Sequence, residues 1–198
     1  MVARAPSQWT AADTICVLQE AQRNHFRFAS AALAAGFPPR ATLAGRTLLH
    51  LAAASSWDGD PDRATMVALA LQRGADPNAR DRWGRTPLWI AAVTGSLDMM
   101  RALVAAGADV NAADRGSGFP PLLALCEGRL WSPGRHERLQ ILLGHPAVDL
   151  KTPVLGRTLV EVLYRWGMDA AVALVHVEVG ARFLFMSQKS CPPPLPAP

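Results

Sequence analysis

The phrase Gly74-Ala75-Asp76-Pro77-Asn78-Ala79 returns thirty-three residues later as Gly107-Ala108-Asp109-Val110-Asn111-Ala112. Self-similarity at this period marks a solenoid, in which no unit can bury its apolar face alone and neighbours must stack. Other helix-ending glycines extend the count. Gly36 precedes Gly74 by 38 residues, a surplus that falls on the turn-rich cluster Ser56-Trp57-Asp58-Gly59-Asp60-Pro61. Gly144 follows Gly107 by 37, with its surplus between Glu127 and Arg135. Only the Gly74–Asn111 unit runs without an insertion.

Between the two copies stands Gly84-Arg85-Thr86-Pro87-Leu88-Trp89-Ile90-Ala91-Ala92, which resembles the Thr-Pro-Leu-His signature of the ankyrin repeat. Gly45-Arg46-Thr47-Leu48-Leu49-His50 keeps the histidine and loses the proline. Gly118-Phe119-Pro120-Pro121-Leu122-Leu123 and Gly156-Arg157-Thr158-Leu159-Val160-Glu161 are weaker versions. The resemblance implies an all-α fold: an ankyrin-type helical solenoid of stacked antiparallel helix pairs with turn fingers. The domain is expected over 11–186. Its units are a degenerate cap at 11–36, then 45–74, 84–107, 118–144 and 156–180, with flexible tails at 1–10 and 187–198. The last tail, Cys191 to Pro198, is proline-rich and can only be extended or polyproline II.

Locally, the first helix is expected over Thr14–Arg23, capped by Asp13, with Ile15, Val17 and Leu18 on its apolar side. Phe28, Ala31, Ala32 and Leu33 recur at helical spacing in the second, and the outer helix of the next unit runs from about Ala64 to Arg73. Thr86 is a natural N-cap, and Pro87 sits where a missing N–H costs nothing. Met99, Met100, Leu103 and Val104 form one buried stripe. The resemblance gives His50 a structural hydrogen bond near the Thr47 hydroxyl. Trp89, Pro120 and Glu161 depart from the family's usual residues, so the local polar network is expected to erode beyond the first repeat.

No catalytic constellation emerges. His136-Glu137 lacks a second histidine four residues on, and no histidine has Cys or carboxylate neighbours at metal-ligand spacing. Cys126 falls at a small-residue helix position and reads as a buried thiol. Three dispersed cysteines form no disulfide framework and point to a reducing compartment, cytoplasmic or nuclear. The apolar stretch from Met168 to Met186 carries Asp169, His176, Glu178 and Arg182, which argues against a membrane span. The net charge is +4, but 18 of the 20 basic residues are arginines scattered along the chain, with no nucleic-acid motif. No enzyme activity, cofactor, metal or specific nucleic acid is expected, and a monomer is.

What remains is binding. Stacked repeats curve into a concave surface, and in the family the fingers and the exposed edge of the inner helices usually form it. The matching positions are Arg46, Arg80, Arg82, Trp83, Arg85, Val93, Thr94, Arg115, Phe119 and Arg157. Arginine and tryptophan combine contact area with directional donors, so a protein partner with carboxylates and an apolar or aromatic anchor is expected. The insertions carrying Trp57 and Trp131 form a second candidate edge. The main alternative is an adaptor or a fragment of a larger ankyrin protein, whose activity lies in a partner or missing domain; a basic nucleic-acid or anionic-membrane binder is the lesser one.

Overall fold

A computed structural model describes residues 9–55, 59–127 and 134–149. The chain divides into two units, 1–149 and 150–198. All described helices belong to the first. The fourth signature with Arg157, the last outer helix, the proline-rich tail, Trp57 and Trp131 lie outside the described residues.

Eight helices follow one another: α1 (Ala11–Gln22), α2 (Phe26–Ala34), α3 (Leu48–Ala54), α4 (Pro61–Gln72), α5 (Pro87–Thr94), α6 (Leu97–Ala105), α7 (Pro121–Glu127) and α8 (Arg135–Leu143). They pack as consecutive pairs. The first member of each pair touches the first member of the next, α1 to α3 to α5 to α7, and the second members do likewise, α2 to α4 to α6 to α8. Two parallel helix layers result, the solenoid expected from the 33-residue period. Among the described residues the only extended pairing is the isolated bridge between Leu43 and Arg46.

The inner helices are short and small-faced. Leu48, Leu49, Leu51, Ala52 and Ala53 of α3 are buried, as are Leu88, Ile90, Ala91 and Ala92 of α5. Alanines let adjacent helices approach, and the close-packed interior leaves no slack for larger groups. Met99, Met100 and Leu103 fill the gap under α6 as the spacing requires, while Val104 is half-buried. Thr86 Oγ1 accepts the Trp89 N–H (3.2 Å) with Pro87 in the first turn.

Several helix ends differ from expectation. The N-cap of α1 is Thr10, not Asp13; Asp13 sits three residues into a reciprocal capping box, with its N–H on Thr10 Oγ1 (3.1 Å) and its carboxylate on the Thr10 N–H (3.1 Å). Trp9 packs edge-on against buried Phe37, with ring centroids 5.3 Å apart, so residues 9–10 belong to the first pair. Ile15 and Phe28 point outward, at 45% and 44% exposure; Phe26 and Ala29 take the core places. Asp60 and Pro61, assigned above to an insertion, start α4: Asp60 Oδ1 accepts the Asp62 N–H (3.0 Å) and Pro61 occupies the first turn. Similarly, Arg135 opens α8 and Glu127 closes α7.

One contact recurs along the array. Four residues after each of Gly36, Gly74 and Gly107, a side chain reaches the turn of the next repeat. Arg40 Nε donates to the Gly74 carbonyl (3.2 Å), Asn78 Nδ2 to that of Gly107 (3.3 Å), and Asn111 Nδ2 to that of Ala147 (2.7 Å). Each asparagine also accepts, Asn78 Oδ1 from the Asp109 N–H (2.7 Å) and Asn111 Oδ1 from the Asp149 N–H (2.8 Å). The paired acceptor and donor fix both the spacing and the orientation of successive turns.

Candidate interaction surface

The second and third fingers are turns stabilised by carboxylates. Asp81 is fully buried as a side chain and organises the second finger from within. Its Oδ1 accepts the N–H groups of Trp83 (2.9 Å) and Arg85 (2.9 Å). Its Oδ2 accepts from Arg85 Nε (3.0 Å) and Nη2 (2.8 Å). Burial raises the Asp81 pKa, but the Arg85 guanidinium and the N–H donors more than offset this and hold it below the ordinary carboxylate value. Thirty-three residues later Asp114 repeats the arrangement, accepting the N–H groups of Gly116 (3.0 Å), Ser117 (3.0 Å) and Phe119 (3.1 Å). Counted back from the shared Gly-Arg-Thr, the first finger has exposed Thr42 in this place, and it closes through the Leu43–Arg46 backbone pair instead.

Inner helices are tied to the fingers beside them. The Thr47 N–H donates to His50 Nδ1 (3.2 Å), which leaves Nε2–H to donate to the Arg85 carbonyl (3.1 Å). Burial lowers the His50 pKa, favouring the neutral ring that this bridge needs. Trp89 holds the equivalent place one repeat on, and its indole Nε1–H donates to the Phe119 carbonyl (2.9 Å). In both repeats that carbonyl also accepts from the finger aspartate's N–H. The inter-repeat bond thus survives the replacement of histidine. The expected erosion is corrected for the second repeat, where only the ring acceptor facing the threonine is lost; in the third, Pro120 and Leu123 stand at the threonine and histidine places.

Six of the thirteen described arginines donate to backbone carbonyls. Arg63 Nη1 donates to the Ser55 carbonyl (2.9 Å), Arg73 Nη1 to Leu33 (2.7 Å), Arg135 Nη2 to Cys126 (2.6 Å) and fully buried Arg138 Nη1 to Ala92 (2.9 Å). These carbonyls lie at or near helix C-termini, where unpaired acceptors and the helix dipole favour a cation. Part of the arginine bias is thus structural.

The candidate residues separate by the same criterion. Arg80 Nη1 binds the carbonyls of Gly84 (2.8 Å) and Ala113 (2.7 Å), joining two fingers. Arg85 is held by Asp81. Thr94 Oγ1 donates to the Ala53 carbonyl (2.7 Å) across the repeat boundary. Phe119 is buried in the core, at 5% exposure, so the exposed face is drawn without it. Val93 (43% exposed) and Trp83 (40%) are open to solvent. The guanidiniums of Arg46, Arg82 and Arg115 meet no carboxylate or carbonyl among the described residues.

Three of these cations gather on one ring. Relative to the Trp83 ring centroid, the guanidinium carbon of Arg82 lies at 3.8 Å, that of Arg85 at 4.2 Å and that of Arg46 at 5.2 Å. Fingers touch tip to tip: the Arg115 N–H donates to the Trp83 carbonyl (2.9 Å), and a Cβ on Gly45 would lie 3.1 Å from the Arg82 nitrogen. Gly84 has φ +78°, and a Cβ there would lie 3.0 Å from the Arg115 nitrogen, so this position is restricted to glycine. Elsewhere, burial pushes the Cys126 thiol up to about 12, which disarms it as a nucleophile. Among the described residues no acidic, histidine or cysteine group assembles a metal site, and no helix is long and apolar enough to cross a membrane.

The sequence matches the family profile for ankyrin repeats (3 copies) over residues 17–114 and again over 59–154, well over half of the chain. The protein belongs to the ankyrin repeat family. Its relatives include Ankyrin repeat domain-containing protein 63 of Homo sapiens, 40% identical over 87 residues, covering 42% of this chain and 22% of the relative. Protein fem-1 homolog A of Danio rerio is 36% identical over 94 residues, covering 46% and 15%. Potassium channel KOR1 of Oryza sativa subsp. japonica is 49% identical over 71 residues, covering 36% and 8%. The chain spans less than a quarter of the length of each. Ankyrin repeats are protein–protein interaction modules, and that class of work applies to this chain.

Proposed function

We infer that this ankyrin array captures a protein partner on the surface formed by its fingers and the exposed edge of its inner helices. The carrying observation is the Trp83 cluster: an exposed indole ringed by Arg46, Arg82 and Arg85, with Asp81 as the carboxylate beneath it. Arg85 is already bound to that carboxylate, so Arg46 and Arg82 retain donors for a partner's carboxylates. Exposed Val93, near the end of α5, offers an apolar contact on the inner-helix edge. No bond-making is involved; the mechanism is rigid presentation of pre-ordered side chains, which lowers the ordering cost of binding. A standard interface of about 1,600 Å² in total is within the reach of such an array.

The test is affinity capture of protein partners from the native cell. The Trp83→Ala/Arg82→Glu double variant, with an unchanged thermal midpoint, is expected to lose well over tenfold in affinity, because both changes fall at the centre of the surface. Retained affinity in the folded variant refutes this surface.

A further inference from the structure

The Trp83 ring is an unusual anchor, since three guanidinium carbons within 5.2 Å of its centroid already claim its π surface. A ring so occupied orients cations. The groups it leaves for a ligand are the guanidiniums themselves.

On the fingers, those that meet no carboxylate or carbonyl among the described residues form a pattern. Arg46 stands on the first finger, Arg82 on the second and Arg115 on the third. Arg82 and Arg115 each follow the finger aspartate and lie one period apart. Arg46 corresponds instead to Arg85, each in a Gly-Arg-Thr sequence. It remains uncommitted because Thr42, which carries no carboxylate, stands where the second finger has Asp81. Its Nε is buried with no hydrogen-bond partner. The result is one available guanidinium per finger, along a line of fingers that touch in order.

The spacing of that line selects a ligand. Packed helices lie about 8–10 Å apart, and successive fingers follow that interval. A polyproline II chain advances about 3.1 Å per residue with three residues per turn, so one finger corresponds to about three residues of ligand and every third side chain faces the same way. A single nucleic-acid strand carries a phosphate on every nucleotide and cannot space its charges to one per finger. We propose that the finger line Arg46–Arg82–Arg115 recognises an extended acidic segment of a protein partner, with a carboxylate at every third residue and Trp83 as the platform that orients Arg46 and Arg82.

This proposal rests on the finger face being the binding surface but makes a separate commitment to register. The full chain is titrated at low ionic strength against two fluorescent peptides. One consists of repeated Asp-Ser-Gly triplets; the other has the same composition with its aspartates contiguous. The triplet peptide is expected to bind several-fold tighter. Each of Arg46→Gln, Arg82→Gln and Arg115→Gln should weaken it by about 2- to 5-fold, and the triple variant by about 10- to 100-fold. Trp83→Phe should retain most of the affinity, whereas Trp83→Leu should lose it along with the platform. Circular dichroism melts verify that each variant is folded.

Equal affinity for the two peptides, preference for contiguous aspartates, failure of both to bind, or tighter binding of an oligothymidylate would each overturn the proposal. Those results leave the interaction surface to its own test by partner capture. Loss of capture discrimination in the Trp83/Arg82 double variant, by contrast, would refute the surface itself.

Discussion

Replacing Trp89 with phenylalanine isolates one inter-repeat hydrogen bond. The indole Nε1–H lies 2.9 Å from the Phe119 carbonyl and is the side-chain link from α5 to the third finger. That carbonyl also accepts from the Asp114 N–H (3.2 Å), so the substitution does not strand it. The loss is then the net value of one bond, about 1 kcal/mol, plus the contacts of the missing part of the indole, about 0.5–1 kcal/mol for a half-buried site. With a urea dependence of about 2 kcal/mol/M, the midpoint should fall by about 0.5–1 M. Trp89→His provides the discriminating control. It buries less apolar surface than phenylalanine, yet at about pH 8, where the ring is neutral, its Nε2–H can repeat the bond that His50 makes to Arg85. The histidine variant should be at least as stable as the phenylalanine variant. Far-ultraviolet circular dichroism against urea measures both. A phenylalanine variant equal to wild type, or a histidine variant below it, refutes the assignment of the bond.

Two further outcomes follow from the same contacts. Asn111→Ala removes a donor to Ala147 and an acceptor for Asp149, so urea unfolding should show a loss of about 1–2 kcal/mol; an isosteric Asp cannot restore the lost donor. The His50 pKa is lowered in the folded protein by burial, so its contribution is fully present above the unfolded value of about 6.5. It is lost as pH falls through that value toward the lower folded-state value, because the unfolded chain then binds the proton more readily. His50→Gln should flatten the corresponding part of the stability profile, read as urea midpoints between about pH 8 and 5.

The period of Gly74 and Gly107 was enough to find the helix pairs, because turn words and helix-ending glycines are local signals. Helix starts were less legible. Asp60-Pro61 looks like loop material in a count of surplus residues, yet it is also a sound cap and first turn, and the chain uses it that way. In α2 the apolar residues outnumber the core places, so spacing alone could not tell Phe26 from Phe28. The binding face was legible only as a set of positions. Whether an arginine is available depends on carbonyls a whole repeat away: Arg80 reaches Ala113 and Arg138 reaches Ala92, contacts between residues far apart in sequence. Trp89 offers a donor much as histidine does, so the surviving bond could have been anticipated from the indole N–H. The interlocking role of Asn78 and Asn111 was visible as a repeat but not as chemistry.

That interlock has a consequence for how such a chain can grow. The units bearing Asn78 and Asn111 each present a side-chain amide to a matching turn of the next, so the interface is heterologous and head-to-tail. A segment copied in register would arrive with both halves of the junction already written. It would need no compensating change in its neighbours. Array length in this protein is therefore a free variable of gene duplication, separable from the side chains that the finger tips present.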